Sequence, residues 1–76
     1  MDPEGLAGRL AQTERNVSEA KRHIARLQKL LTELQRGGND IRLATNLLRQ
    51  FEQRLATYIG ERDRLRQELG LPTWRS

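Results

Sequence analysis

Apolar residues recur along this chain at alternating intervals of three and four. In the first half, Leu10, Val17, Ile24 and Leu31 take heptad position a, and Leu6, Thr13, Ala20, Leu27 and Leu34 take position d. In the second half, Ile41, Leu48, Leu55, Arg62 and Leu69 take a, and Ala44, Phe51, Tyr58 and Leu65 take d. A period of 3.5 keeps one stripe of a helix facing a neighbour, so each half predicts a helix with a coiled-coil seam. Between the halves stands Gly37-Gly38, which ends a helix at little steric cost, followed by Asn39 and Asp40, either of which suits the N-cap of the next helix. Asp2, Pro3 and Glu4 suit a helix start, while Gly5 and Gly8 weaken its first turns by about 1 kcal/mol each relative to alanine and predict fraying. Gly70, Leu71 and Pro72 form a stop signal, with Leu71 placed to fold back onto Leu65.

The expected architecture is therefore all-α: one antiparallel two-helix coiled-coil hairpin spanning 1–76. It divides into a helix over about 3–36, a turn over 37–40, a helix over about 41–69 and a tail over 70–76. Each helix runs about 30 residues, or roughly 45 Å at 1.5 Å per residue, and the short turn makes the two antiparallel neighbours. A single continuous rod through the turn is disfavoured by the paired glycines and the Asn-Asp that follows.

Folding the chain about the glycines pairs each a residue with a d residue. The layers are Leu34 with Ile41, Leu31 with Ala44, Leu27 with Leu48, Ile24 with Phe51, Ala20 with Leu55, Val17 with Tyr58, Thr13 with Arg62, Leu10 with Leu65, and Leu6 with Leu69. The two interior polar positions, Thr13 and Arg62, fall in one layer, although the heptads of the two halves are independent of each other. Such a layer can fix register; alternatively Arg62 packs its stem and extends its head to water, with Glu14 and Glu61 as candidate partners. On the flanks, Arg9 is expected near Glu68 and Lys21 near Glu52, pairs worth about 0–1 kcal/mol at a surface.

Length changes the picture. At 76 residues without cysteine and with one histidine, the chain has no disulfide and no thiolate or multi-histidine metal site to supplement a small core. Apolar burial and conformational entropy nearly cancel at this size, and self-association is the remaining common aid. Leu30 and Leu47 flank the seam at position g, Leu43 lies one turn before Leu47, and Ile59 flanks the other edge. These four are the candidate self-association patch. Ala11, Ser18, Ala25 and Thr32 add a stripe of small residues. A homodimer forming a four-helix bundle is expected, with a second helical protein as a further partner; a monomer of modest helicity is the competing outcome. No apolar run approaches the ~20 residues that span a bilayer, and Met1-Asp2-Pro3-Glu4 lacks the features of a secretory leader, so a cytoplasmic protein without membrane partners is expected.

Charge and chemistry add less. The net charge is +4, and twelve of the fourteen basic residues are arginine. Arg15, Arg22, Lys29 and Arg36 recur every seven residues with Arg26 beside them. Such a face can track the phosphates of a nucleic acid, the second functional reading. Glu19 and Glu33 interrupt it and no aromatic residue lies within it, which favours a solvated basic face. His23 sits at a g position near Arg54, where it serves either a pH-sensitive contact or a polar flank. Gly60 is an outward mid-helix glycine, and Trp74 is a lone tryptophan in the tail. No phosphate loop, nucleophile–base set or Glu-x-x-His pair occurs, so neither a catalytic residue nor a cofactor is expected. The leading reading is a non-enzymatic self-association or protein-interaction module.

The stretches Glu14-Arg15, Arg22-His23-Ile24-Ala25-Arg26, Phe51-Glu52 and Glu61-Arg62-Asp63-Arg64-Leu65 resemble those of short bacterial helical-hairpin proteins, over about residues 6–69. The resemblance implies a helical hairpin and carries no activity with it. Those proteins often place Thr and Glu after the turn aspartate as a capping box; Ile41-Arg42-Leu43 stands there instead, so the second helix is expected to be capped differently.

Overall fold

The seam pattern is realised as two helices, α1 (Pro3–Arg36) and α2 (Arg42–Glu68). The computed structural model describes residues 3–71. The expected cap Asp2, together with Pro72 and the tail that contains Trp74, lies outside the described residues. The helices pack antiparallel against each other in a rod of 53 × 19 × 14 Å. Every a and d position from Leu6 to Leu69 is buried or half-buried, while the b, c and f positions are exposed apart from Asp63. Leu6, Leu10 and Leu65 form the tightest cluster, with Leu69 against it, which places Leu10 beside Leu65 and Leu6 beside Leu69 as the heptads require.

Burial is uneven along the rod. Towards the chain ends, Leu6, Leu10, Thr13, Val17, Ala20 and Leu65 are all at most 8% exposed. Towards the turn, Ile24, Leu27, Leu31, Leu34, Ile41, Leu48, Phe51 and Leu55 are only half-buried, and Ala44 alone is closed over. The edges differ as well. Near the ends, ion pairs bridge the helices at both edges, Arg66 with Glu14 and Arg9 near Glu61. Nearer the turn no cross-helix ion pair is found among the described residues, and Leu30 and Leu47 stand exposed at one edge.

The turn is built by hydrogen bonding. Gly38 takes φ +70°, the left-handed conformation that costs an L-residue about 1–2 kcal/mol. This lets the Gly38 amide donate to the Gln35 carbonyl at 3.1 Å and the Asn39 amide to Leu34 at 3.0 Å, so carbonyls left over at the end of α1 are satisfied. α2 ends by the same device. Gly70 has φ +73°, the Gly70 amide donates to Gln67 at 3.0 Å, and the Leu71 amide donates to Arg66 at 2.8 Å. Leu71 remains exposed.

The start of α2 differs from the expected cap by one residue. Ile41, not Asn39 or Asp40, occupies the N-cap position, and its side chain makes no capping bond. Asp40 still satisfies an orphan donor from one step further back. Its Oδ1 accepts the Arg42 amide at 3.0 Å, and its carboxylate grips the Arg42 guanidinium at 2.8 to 3.2 Å. An aspartate reaching two residues ahead is an Asx turn, which serves the same donors as a cap. The Arg42 side chain, and then its amide, hold the Asp40 carboxyl below its ordinary value of 3.8.

Gly38→Ala should lower stability by about 1–2 kcal/mol, read as a fall in the thermal midpoint by circular dichroism; an unchanged midpoint would contradict the left-handed turn. Because the Asp40 carboxyl is more acidic folded than unfolded, its stabilising contribution is present above the ordinary carboxylate range. It is lost as pH falls through the depressed folded value. Carboxyl NMR should find Asp40 titrating below the ordinary aspartate range, and Arg42→Gln should move it back towards that range.

Candidate self-association surface

An antiparallel pair presents two edges, one lined by the e positions of both helices and one by the g positions. On the e edge, Arg66 donates to the Glu14 carboxylate across the helices, and half-buried Ile59 lies on this edge too. Lys21 and Glu52 form no ion pair among the described residues. On the g edge, Arg9 sits 3.8 Å from Glu61 instead of pairing with the expected Glu68. Both acids lie within an arginine's reach, and a solvated contact of this length does not decide between them.

Between these ion pairs lies the polar layer. Thr13 is 3% exposed, and its hydroxyl donates to the Arg9 carbonyl of its own helix at 2.8 Å. The Arg62 side chain is 13% exposed. Its Nε and Nη2 both donate to Asp63 Oδ1 at 3.2 Å, so the stem packs in the seam while the head turns to the rim. Of the acids expected beside it, Glu14 is engaged by Arg66 and Glu61 lies near Arg9.

Nearer the turn, the g edge becomes aromatic and then apolar. The His23 ring stacks on Phe51, with centroids 5.3 Å apart and planes 28° apart, and the Arg54 guanidinium carbon lies 5.4 Å from the same ring centre. With Asn16 and Tyr58 these side chains line an open notch of about 120 Å³. Heptad spacing places His23 near Arg54 but does not by itself put it on Phe51. The signal is present all the same, because a g residue borders the layer of its neighbour, here Ile24 with Phe51. Beyond the notch, Leu30 is 45%, Leu47 37% and Leu43 73% exposed on one surface. The four expected patch residues therefore divide: three leucines lie together, and Ile59 lies on the opposite edge.

No protein-family model matches this chain, and neither a curated protein nor a solved structure matches it. The surface is accordingly interpreted from its own residues.

Arg15, Arg22, Arg26, Lys29 and Arg36 are all exposed on α1, and Arg15 donates to Gln12 at 2.8 Å. The charge is concentrated rather than spread. Residues 21–55, the half nearer the turn, hold eight basic and three acidic residues, and the remainder holds six basic and seven acidic. Among the described residues no group of three or more His, Cys, Asp or Glu side chains is placed to hold a metal ion. No described helix is long and apolar enough to cross a membrane.

Arg62→Leu should raise stability by about 1 kcal/mol. A guanidinium held in the seam is costly to desolvate even when it is paired, while leucine continues the seam. Urea unfolding at fixed protein concentration measures this, and a lower midpoint would show that the polar layer stabilises rather than merely orients.

Proposed function

We propose that this chain is a small, non-enzymatic self-association module whose hairpin pairs with a second copy into a four-helix bundle. The observation that carries the reading is the exposure of Leu30, Leu43 and Leu47 together on one edge, next to the half-open part of the seam. A solvent-facing leucine cluster in so small a chain gives up burial that a second layer of helices would recover, at about 25 cal/mol per Å² of apolar surface. The absence of any large side chain less than 2% exposed among the described residues supports the same reading. Two helices have no interior beyond one line of contact, and closing that line from above is what a bundle does. The module then serves as an interaction scaffold, with another helical protein as a further partner.

Nucleic-acid association ranks second, favoured by the clustering of basic residues in the half nearer the turn. Glu33 and Asp40 within that half, and the lack of an aromatic residue on the basic face, count against it.

Sedimentation equilibrium from micromolar to several hundred micromolar should give a mass that rises from one to two chains. A constant single-chain mass across that range, with cooperative unfolding at high temperature, would overturn the proposal. The second reading predicts a salt-sensitive shift of duplex DNA or RNA that Arg22→Glu with Lys29→Glu weakens; no shift at low salt ends it.

A further inference from the structure

Resting on the self-association reading, the geometry points to one docking arrangement: two hairpins meet antiparallel through the g edges of their turn-proximal halves, staggered so that Leu30 and Leu47 of each copy lie at the two-fold axis. The argument is charge complementarity about the leucine cluster. On α1, Glu33 lies one turn nearer the loop than Leu30, and Arg26 lies one turn further away. These offsets are about 4.5 and 6 Å at 1.5 Å per residue. Both side chains are exposed, and neither has an ion-pair partner among the described residues. A two-fold axis perpendicular to the rod at Leu30 exchanges the two sides, so each Glu33 comes beside the second copy's Arg26. The leucines of the two copies then bury one another. An isologous interface needs this self-complementarity: one patch must carry both the group and its counterpart. Asp40, the other acid near the tip, is already held by Arg42, so Glu33 carries the match.

Two other alignments fit worse. With both loops at the same end, the two-fold runs along the rod and sets α1 against the second copy's α2; the leucines still meet, but Arg26 comes level with Gln50 and Glu33 with Leu43, so neither charge finds its counterpart. With the rods fully overlapped in opposite directions, the leucines fall opposite Arg9 and Glu61 of the second copy and gain no apolar contact. The staggered arrangement matches both the apolar and the charged positions. Leu30 lies about 12 Å from the tip, so the overlap is about 25 Å long, on a rod 19 Å wide. That buries roughly 1,000 Å² in total, at the lower limit of specific interfaces, and makes the dimer dependent on concentration.

The test uses the full 76-residue chain as wild type, Arg26→Glu and Glu33→Arg, with circular dichroism establishing that all three are equally helical. Dimerisation is measured by sedimentation at low and high salt. Each variant alone should associate at least about fivefold more weakly than wild type at low salt, because like charges then face each other twice. A one-to-one mixture of the two variants should return to within about twofold of wild type, since positions 26 and 33 then carry opposite charges at both contacts. High salt should shrink both effects. If the wild type dimerises but the single variants bind as well as it does, or their mixture shows no recovery, this docking is wrong and self-association stands. If the wild type remains a monomer throughout, both fail together. X-ray scattering gives an independent check: the staggered dimer is about 80 Å long, whereas full overlap leaves the 53 Å length of the monomer almost unchanged.

Discussion

A pair of helices touches along a line, and everything else in this molecule follows from how that line is filled. The a and d side chains alternate across it, each layer joining one residue of α1 to one of α2. Once Leu10 lies against Leu65 and Leu6 against Leu69, every other position has an address: an edge, a back face or a place in the seam. The cross-helix contact of Glu14 with Arg66 and the stack of His23 on Phe51 are consequences of this register and need no separate explanation.

The register is legible in the sequence because it rests on periodicity and on one steric fact. Seam residues announce themselves by spacing, and a left-handed backbone at the end of α1 needs glycine, so Gly38 marks the bend in the sequence itself. The polar details are harder to read. Asp40 is recognisable as a residue that serves helix starts, but whether such a side chain sits at the cap or one residue before it depends on backbone angles, here those of Ile41. The choice of Glu61 over Glu68 by Arg9 lies beyond spacing, because a long flexible cation reaches several acids with similar energy. The off-seam apolar residues are separated by the same spacing, which sets Leu30, Leu43 and Leu47 at one edge and Ile59 at the other.

The contrast between the two halves of the rod is not visible in the heptads, which treat every layer alike. It accompanies a difference at the edges. Near the chain ends Arg66 pairs with Glu14 and Arg9 lies near Glu61 across the helices. Near the turn Leu30 and Leu47 stand exposed at one edge. The two ends of one helical pair thus differ in how fully the seam is closed and in what lines its edges.

The position of the bend has a consequence for how this chain tolerates change. Only five residues separate the last helical residue of α1 from the first of α2, and they lie outside the helical repeat. A residue inserted inside α2 would rotate the apolar stripe beyond it by about 100° around its axis, presenting its charged flank to α1. One inserted in the bend only lengthens a loop, at a small cost in closure entropy, so where an extra residue falls matters more than the length it adds.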